Sequence, residues 1–368
     1  MHLSSLSLIN FKNYPEATLQ FSKSVNCFTG NNGSGKTNLL DAIYYLGLTK
    51  SYFNNIDSQL IKHNEQMFVL QGDFSNGELE EKIFCGLKQN QKKQFKRNQK
   101  DYQRLSDHIG LLPVVMISPV DHSLITEGSE ERRKFIDSII SQTDKNYLED
   151  LISYNKLLAH RNALLKQLSK ENTTDFTTLE IWNEQLASVG ERIFAKRKSF
   201  LEEFIPVFNH YYNFLSSNNE SAGISYLSHL HDAKMLTLLT DNIRKDLILE
   251  YTTKGIHKDD LDFVIESHAV KKVGSQGQQK TFLIALKLAQ FGFLSNLKNI
   301  KPILLLDDIF DKLDDSRVTK LMELVSKETF GQIFITDTHA DRLREIFNSI
   351  NFPVKLFNVV NGNVAEVK

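Results

Sequence analysis

The residues best placed to do chemistry are Gly30-Asn31-Asn32-Gly33-Ser34-Gly35-Lys36-Thr37, which fit the spacing Gly, four residues, Gly-Lys-Thr. Glycines let a backbone wrap a phosphate, and consecutive N–H groups at a helix start favour its negative charge. In such a loop Lys36 reaches the β- and γ-phosphates, and Thr37 offers its hydroxyl to Mg²⁺. Gly30 through Asn38 are therefore the candidate phosphate-binding residues. A second chemical feature is Ile303-Leu304-Leu305-Leu306-Asp307-Asp308, an apolar run ending in two carboxylates. An acid at the C-terminal edge of a sheet, near a phosphate loop, stands where Mg²⁺ needs an oxygen ligand. Asp307 is assigned to the metal shell and Asp308 to orienting or activating an attacking water. Asp308 and Lys36 are the candidate catalytic residues. A helix cap in a solvated turn is the competing reading of the paired acids.

These side chains need elements to hold them. Val25, Cys27 and Phe28 precede the loop as a strand, and Leu39, Leu40, Ala42, Ile43 and Leu46 follow it with helical spacing. Residues 3–11 and 17–28 read as strands flanking a turn at Asn13-Tyr14-Pro15. Further strands are expected at 66–74 and 81–87, joined at Asn76-Gly77, and at 113–117. Residues 302–307 and 332–336 are continuous apolar runs, as in a parallel sheet buried on both faces. From about 120 to 250 the patterns are helical: Tyr147, Leu151, Tyr154 and Leu158 share one helix face. Residues 181–204 continue that theme until Pro206, which is expected to break or kink the helix. Polar residues 169–178 form a helix–helix loop, and the absence of sustained heptads excludes a long coiled coil. The fold class is α/β: a nucleotide-binding lobe of residues 1–119 and 256–368 carries an inserted, mostly helical lobe of residues 120–255.

The chain has 368 residues, 41% hydrophobic and 24% charged, with a net charge of −1. It carries no global electrostatic signal for nucleic acid. Residues 88–104 are a local exception at net +6. Lys92, Lys93, Lys96 and Arg97 are candidate DNA contacts there, weighed against an ordinary solvated hairpin. Cys27 and Cys85 give neither a disulfide framework nor metal-ligand spacing. No apolar run reaches membrane-spanning length and no signal-peptide pattern opens the chain, so a cytoplasmic protein without a membrane partner is expected.

Ser275-Gln276-Gly277-Gln278-Gln279 opens another helical pattern 28 residues before Ile303. In ATP-binding cassette proteins a signature loop stands at that interval and contacts the γ-phosphate held by the opposite subunit. A serine hydroxyl and a helix N-terminus suit that role. Ser275, Gly277 and Gln278 are thus expected to act in trans, so that ATP cements a two-fold homodimer. Asp311-Lys312-Leu313-Asp314 falls where such ATPases place a dimer-contacting turn, and His339 where they place a γ-phosphate sensor.

These motifs come in order with Leu8-Ile9-Asn10-Phe11-Lys12-Asn13-Tyr14, Ser118-Pro119-Val120-Asp121, Arg132-Arg133-Lys134-Phe135 and Gly255-Ile256-His257-Lys258-Asp259-Asp260-Leu261. Together they resemble the RecF family of recombinational DNA-repair ATPases, relatives of the SMC heads. Ile256 and Lys258 replace the family's usual Pro and Arg, and Lys50-Ser51-Tyr52-Phe53 lacks its arginine. The resemblance implies an ABC-type P-loop ATPase head that binds ATP and Mg²⁺. It implies an ATP-dependent homodimer that binds double-stranded DNA and ssDNA/dsDNA junctions, with weak, DNA-stimulated ATP hydrolysis. It also implies RecO and RecR as partners in loading RecA, with roles in DNA replication, recombination and the SOS response. Lys12 and Asn13 match the family's N-terminal turn near the nucleotide. The alternative, the ATPase subunit of a membrane transporter, shares loop, signature and acidic strand. Its loop and signature lie far closer together than the 238 residues from Thr37 to Ser275.

Overall fold

The computed structural model describes residues 1–77, 79–171, 176–298, 300–309, 318–321, 324, 330–349 and 353–367. Two units emerge from the pattern of contacts: Met1–His122 with Tyr211–Asn219 and Gln276–Lys368, and Ser123–His210 with Glu220–Ser275. Residues 256–275, expected in the first lobe, therefore group with the second, because a strand there pairs with one in the 220s.

In the first unit, β1 (His2–Phe11) and β2 (Tyr14–Gln20) form a hairpin, β3 (Val25–Thr29) enters the glycine loop and α1 (Lys36–Leu48) leaves it. Residues 17–28 were expected as one strand; they make two. The break at 21–24 is closed by Asn26, whose Oδ1 accepts the Ser22 N–H at 2.8 Å while its Nδ2 donates to the Ser22 carbonyl at 3.0 Å. β4 (Met67–Asn76), β5 (Leu79–Lys88), β6 (Gln94–Arg97) and β7 (Lys100–Asp101) extend the hairpin into an antiparallel sheet of order β2-β1-β4-β5-β6-β7. Pro15 sits in β2, an edge strand, where its missing N–H costs no ladder bond. Leu3, Leu6, Leu8 and Phe11 of β1 are all buried although Leu3 and Phe11 are out of phase with Leu6 and Leu8; a register shift between Leu3 and Ser5 accounts for Leu3. β8 (Val114–Ile117) follows.

The second unit holds α2 (Ser123–Thr126), α3 (Ser129–Thr143), α4 (Lys145–Glu171) and α5 (Thr177–Ser216), whose last residues, from Tyr211, belong to the first unit. α5 runs on through Pro206. The proline is exposed, so water can satisfy the carbonyl whose hydrogen bond it removes. β9 (Ala222–Leu227), α6 (Met235–Asp241), α7 (Ile243–Leu249), β10 (Asp260–Ile265), β11 (His268–Ala269) and α8 (Val270–Val273) complete this unit, with a sheet of order β11-β10-β9.

The chain then returns to the first unit with α9 (Gln276–Lys298), β12 (Ile303–Asp307), β13 (Ile333–Asp337), α10 (Ala340–Ser349), β14 (Val354–Val360) and β15 (Asn363–Val367). These build a second sheet of order β15-β14-β3-β13-β12-β8, parallel except for the β14–β15 pair. β3, β8, β12 and β13 are buried at every position, as continuous apolar strands covered on both faces require. The core between the sheets is aromatic: Phe28 stacks on Phe334 at 6.2 Å, and Phe21 packs edge-on against Phe334 at 4.9 Å. The Gln332 side chain ties the sheets together, accepting the Leu3 N–H at 2.7 Å and donating to the Leu3 and Ser22 carbonyls.

Candidate functional site

Parallel pairing brings the C-terminal ends of β3, β13, β12 and β8 to one edge, which carries Thr29, Asp337, Asp307 and Ser118 in that order. The glycine loop turns away from this edge. Gly30 and Gly35 adopt φ of 146° and 116°, outside the range of L side chains. A Cβ on Gly30 would lie 2.2 Å from the Val359 carbonyl oxygen, and one on Gly35 2.4 Å from Asn13 Nδ2. Neither position admits another residue. Asn31, Asn32 and Gly33 are exposed at the loop tip, while Ser34, Gly35 and Lys36 are buried at its base.

The N-terminal turn braces the loop. Asn13 Nδ2 donates to the Ser34 carbonyl at 3.0 Å, and Asn13 Oδ1 accepts from Asn38 Nδ2 at 2.7 Å. The Tyr14 hydroxyl, raised in pKa by burial, donates to the Gly35 carbonyl at 2.9 Å. Lys12 takes a different course: its Nζ lies 2.6 Å from Asp41 Oδ2 on the flank of α1. Asp41 also accepts from the Ser51 hydroxyl and the Tyr52 N–H. Thus Asn13 supports the loop directly, and Lys12 supports the helix that follows it.

Lys36 Nζ donates to the Gly30 and Asn31 carbonyls at 2.7 and 3.0 Å, curled back over its own loop. Thr37 Oγ1 donates to Asp307 Oδ1 at 2.8 Å, which commits the hydroxyl proton and leaves the oxygen lone pairs for a cation. Asp307, 4% exposed, also accepts from Thr336 Oγ1 on Oδ1 at 2.9 Å and from Ser118 Oγ on Oδ2 at 3.1 Å. Its partners among the described residues are three neutral hydroxyls and no cation. Asp308 has φ 51°, and its N–H donates to Thr336 Oγ1 at 2.9 Å. Thr336 therefore orients both acids with one hydroxyl.

Three observations fit a phosphate–Mg²⁺ group: the buried Ser34 hydroxyl without a partner among the described residues, the curled-back Lys36, and an acid held only by hydroxyls. The described residues contain no cluster of three or more His, Cys, Asp or Glu side chains suited to a metal. Mg²⁺ held largely by phosphate oxygens and water does not need one. Asp307 and Asp308 also face a cavity of about 540 Å³ bounded by Ser118, Gln279 and Lys280.

Ser275 is exposed and immediately precedes α9; Gly277 and Gln278 lie in its first turn, where the Gly277 carbonyl accepts from the Thr281 hydroxyl at 2.9 Å. His339 is exposed, its N–H donating to Asp337 Oδ1. Asp311 to Asp314 lie outside the described residues. In the basic hairpin, Lys92 is exposed. Lys93 is clamped by the Thr49 carbonyl and Asp57 Oδ2, at 2.5 and 2.8 Å. Arg97 pairs with Glu81 through two nitrogens, and Lys96 lies 3.8 Å from Asp101. Asp57 and Glu81 come from outside the +6 window, so much of that charge is already balanced. Sequence reasoning missed Tyr14, Ser118 and Thr336 as site residues. The signal for the last two was a polar residue at or just beyond the end of a buried apolar strand.

A parallel sheet with a glycine phosphate loop and a hydroxyl-held acid pair at one edge defines an ABC-type P-loop ATPase head. The RecF/RecN/SMC N-terminal domain family matches residues 2–362. "DNA replication and repair protein RecF" of Flavobacterium johnsoniae is 55% identical over 98% of this chain and 100% of its own length. The protein of the same name from Bacteroides thetaiotaomicron is 50% identical over 100% and 99%. The solved structure of the recombination mediator protein RecF with ATP in the RecFOR pathway is 32% identical, covers 100% of this chain and 97% of its own, and superposes with a TM-score of 0.89. An Smc head from Pyrococcus furiosus, 17% identical and covering 100% and 96%, shares the fold with a TM-score of 0.57. The chain belongs to the RecF family.

Proposed function

We propose that this chain is an ATP-dependent DNA-binding protein of recombinational repair. ATP closes two copies into a dimer that binds double-stranded DNA near gaps and ssDNA/dsDNA junctions and assists RecO and RecR in loading RecA. Slow hydrolysis then releases the DNA. The observation that carries this reading is the Thr37–Asp307–Thr336–Asp308 constellation beside the glycine loop, in a chain whose relatives are DNA replication and repair proteins. The same relatives favour it over the transporter-subunit alternative.

In this reading Lys36 leaves the loop carbonyls for the β- and γ-phosphates, and Thr37 and Asp307 hold Mg²⁺. The ion, when bound, neutralises charge on the phosphate oxygens. Asp308, its backbone fixed by Thr336, orients the attacking water. Ser275, Gly277 and Gln278 of a second copy complete the site. Lys92 is the better candidate for phosphate contacts, followed by Lys96 with its longer 3.8 Å approach to Asp101, since Lys93 and Arg97 are hydrogen-bonded to acids of their own unit.

The test is DNA binding by fluorescence anisotropy with and without ATP across a range of salt. Binding with a steep salt slope only in ATP is expected. Lys36→Met removes that ATP dependence. Equal affinity with and without ATP in the unaltered chain overturns the reading.

A further inference from the structure

Lys287 lies midway along α9 and is 4% exposed, between buried Leu286 and Leu288. A lysine in such a place is costly unless paired. Its Nζ lies 2.7 Å from Asp121 Oδ1 and donates to the Tyr52 hydroxyl at 2.7 Å. The Tyr52 hydroxyl donates to that same Asp121 oxygen. Asp121 Oδ2 accepts the Ser118 N–H at 2.8 Å, closing the turn after β8. The Ser118 hydroxyl then donates to Asp307 Oδ2. The far end is anchored too, because the Tyr52 N–H donates to Asp41 Oδ1 on α1 at 2.7 Å. A chain of buried polar contacts thus runs from α9 to the candidate metal ligand.

Thr37 and Thr336 both meet Oδ1 of Asp307, so they fix that oxygen while the carboxylate plane stays free to pivot about it. Ser118 meets the other oxygen. We propose that Ser118 is a positioning residue for the Asp307 carboxylate, and that the cluster of buried Lys287 and Asp121 with half-buried Tyr52 exists to hold Ser118 in place. This rests on the reading of Asp307 as a Mg²⁺ ligand. The cluster touches neither phosphate nor metal; it acts through one serine.

The test titrates Mg²⁺ into the full-length chain with a fluorescent ATP analogue and follows binding, with a parallel series in EDTA. Ser118→Ala raises the Mg²⁺ concentration at half-effect about tenfold, the worth of one hydrogen bond to a charged group. The loss is confined to the Mg²⁺ response, affinity in EDTA changing far less, and Ser118→Thr restores that response. Lys287→Met shifts the same response. Should that variant fail to fold, Tyr52→Phe keeps the ion pair and gives a smaller shift in the same direction. An unaltered Mg²⁺ response in Ser118→Ala, alongside a large shift in Asp307→Asn, overturns the proposal. An unaltered chain whose analogue binding ignores Mg²⁺ overturns the underlying reading, and the positioning role with it.

Discussion

Two buried sites, one in each unit, treat charge in opposite ways. In the second, Arg197 sits between Asp137 and Asp259, and Arg161 faces Asp246, with every guanidinium nitrogen donating to an acceptor. Cation and carboxylate are both supplied by the fold. In the first, Asp307 is equally buried but surrounded by hydroxyls of Thr37, Thr336 and Ser118. Dipoles orient a carboxylate without neutralising it. The buried charges of Arg161 and Arg197 are paired within the second unit, while the Asp307 carboxylate at the edge of the first has only hydroxyl partners among the described residues. Low exposure alone does not separate scaffold from site; the partner's charge does.

The largest test of this contrast is Arg197→Met, which strands two carboxylates and is expected to cost about 3–5 kcal/mol in urea unfolding. A loss below about 1 kcal/mol would dissolve the distinction. Next comes acid. Burial lowers the pKa of His108 in the first unit and His257 in the second to about 4. Between that value and the ordinary 6.5 the unfolded chain takes up a proton that the folded chain refuses, so stability rises with pH across this window. Each histidine's contribution is complete above pH 6.5 and lost toward pH 4, up to about 3 kcal/mol. Comparing urea midpoints at pH 7.5 and 4.5 in His108→Gln and His257→Gln assigns the loss unit by unit. Asp307→Asn comes third. It is expected to move unfolding by less than about 1 kcal/mol, because no cation is left unpaired, yet to abolish the Mg²⁺ dependence of nucleotide binding. A loss like that of Arg197→Met would make Asp307 scaffold. The smallest effect belongs to Arg97→Gln, about 0.5 kcal/mol or less for a half-exposed pair. Its DNA affinity falls less than that of Lys92→Gln in a filter-binding assay.

The glycine loop was legible because its chemistry is contiguous: spacing alone places Lys36 and Thr37. The acidic strand was legible because burial on both faces removes alternation and leaves one apolar run ending in Asp307. Ser118 and Thr336 were not, since they join Asp307 across 189 and 29 residues of sequence through register between strands. The charge balance of the basic hairpin was hidden for the same reason. A window counts Lys93 and Arg97 as free charge, while Asp57 and Glu81 arrive from elsewhere in the sheet. At Pro206 the helix was expected to break or kink, and it does not break: an exposed turn offers water to the carbonyl that loses its donor.

The position of β3 has a consequence for how the protein comes off the ribosome. Its sheet neighbours are β13 and β14, so residues 25–29 must wait for residues 333–360 before either edge of the strand is paired. At about 5–20 residues per second, that wait lasts on the order of tens of seconds. During that time a strand that ends up fully buried, and its glycine loop, exist without the sheet that shapes them. The newborn protein can therefore assemble this sheet, and the edge from which the glycine loop departs, only as its last strands emerge.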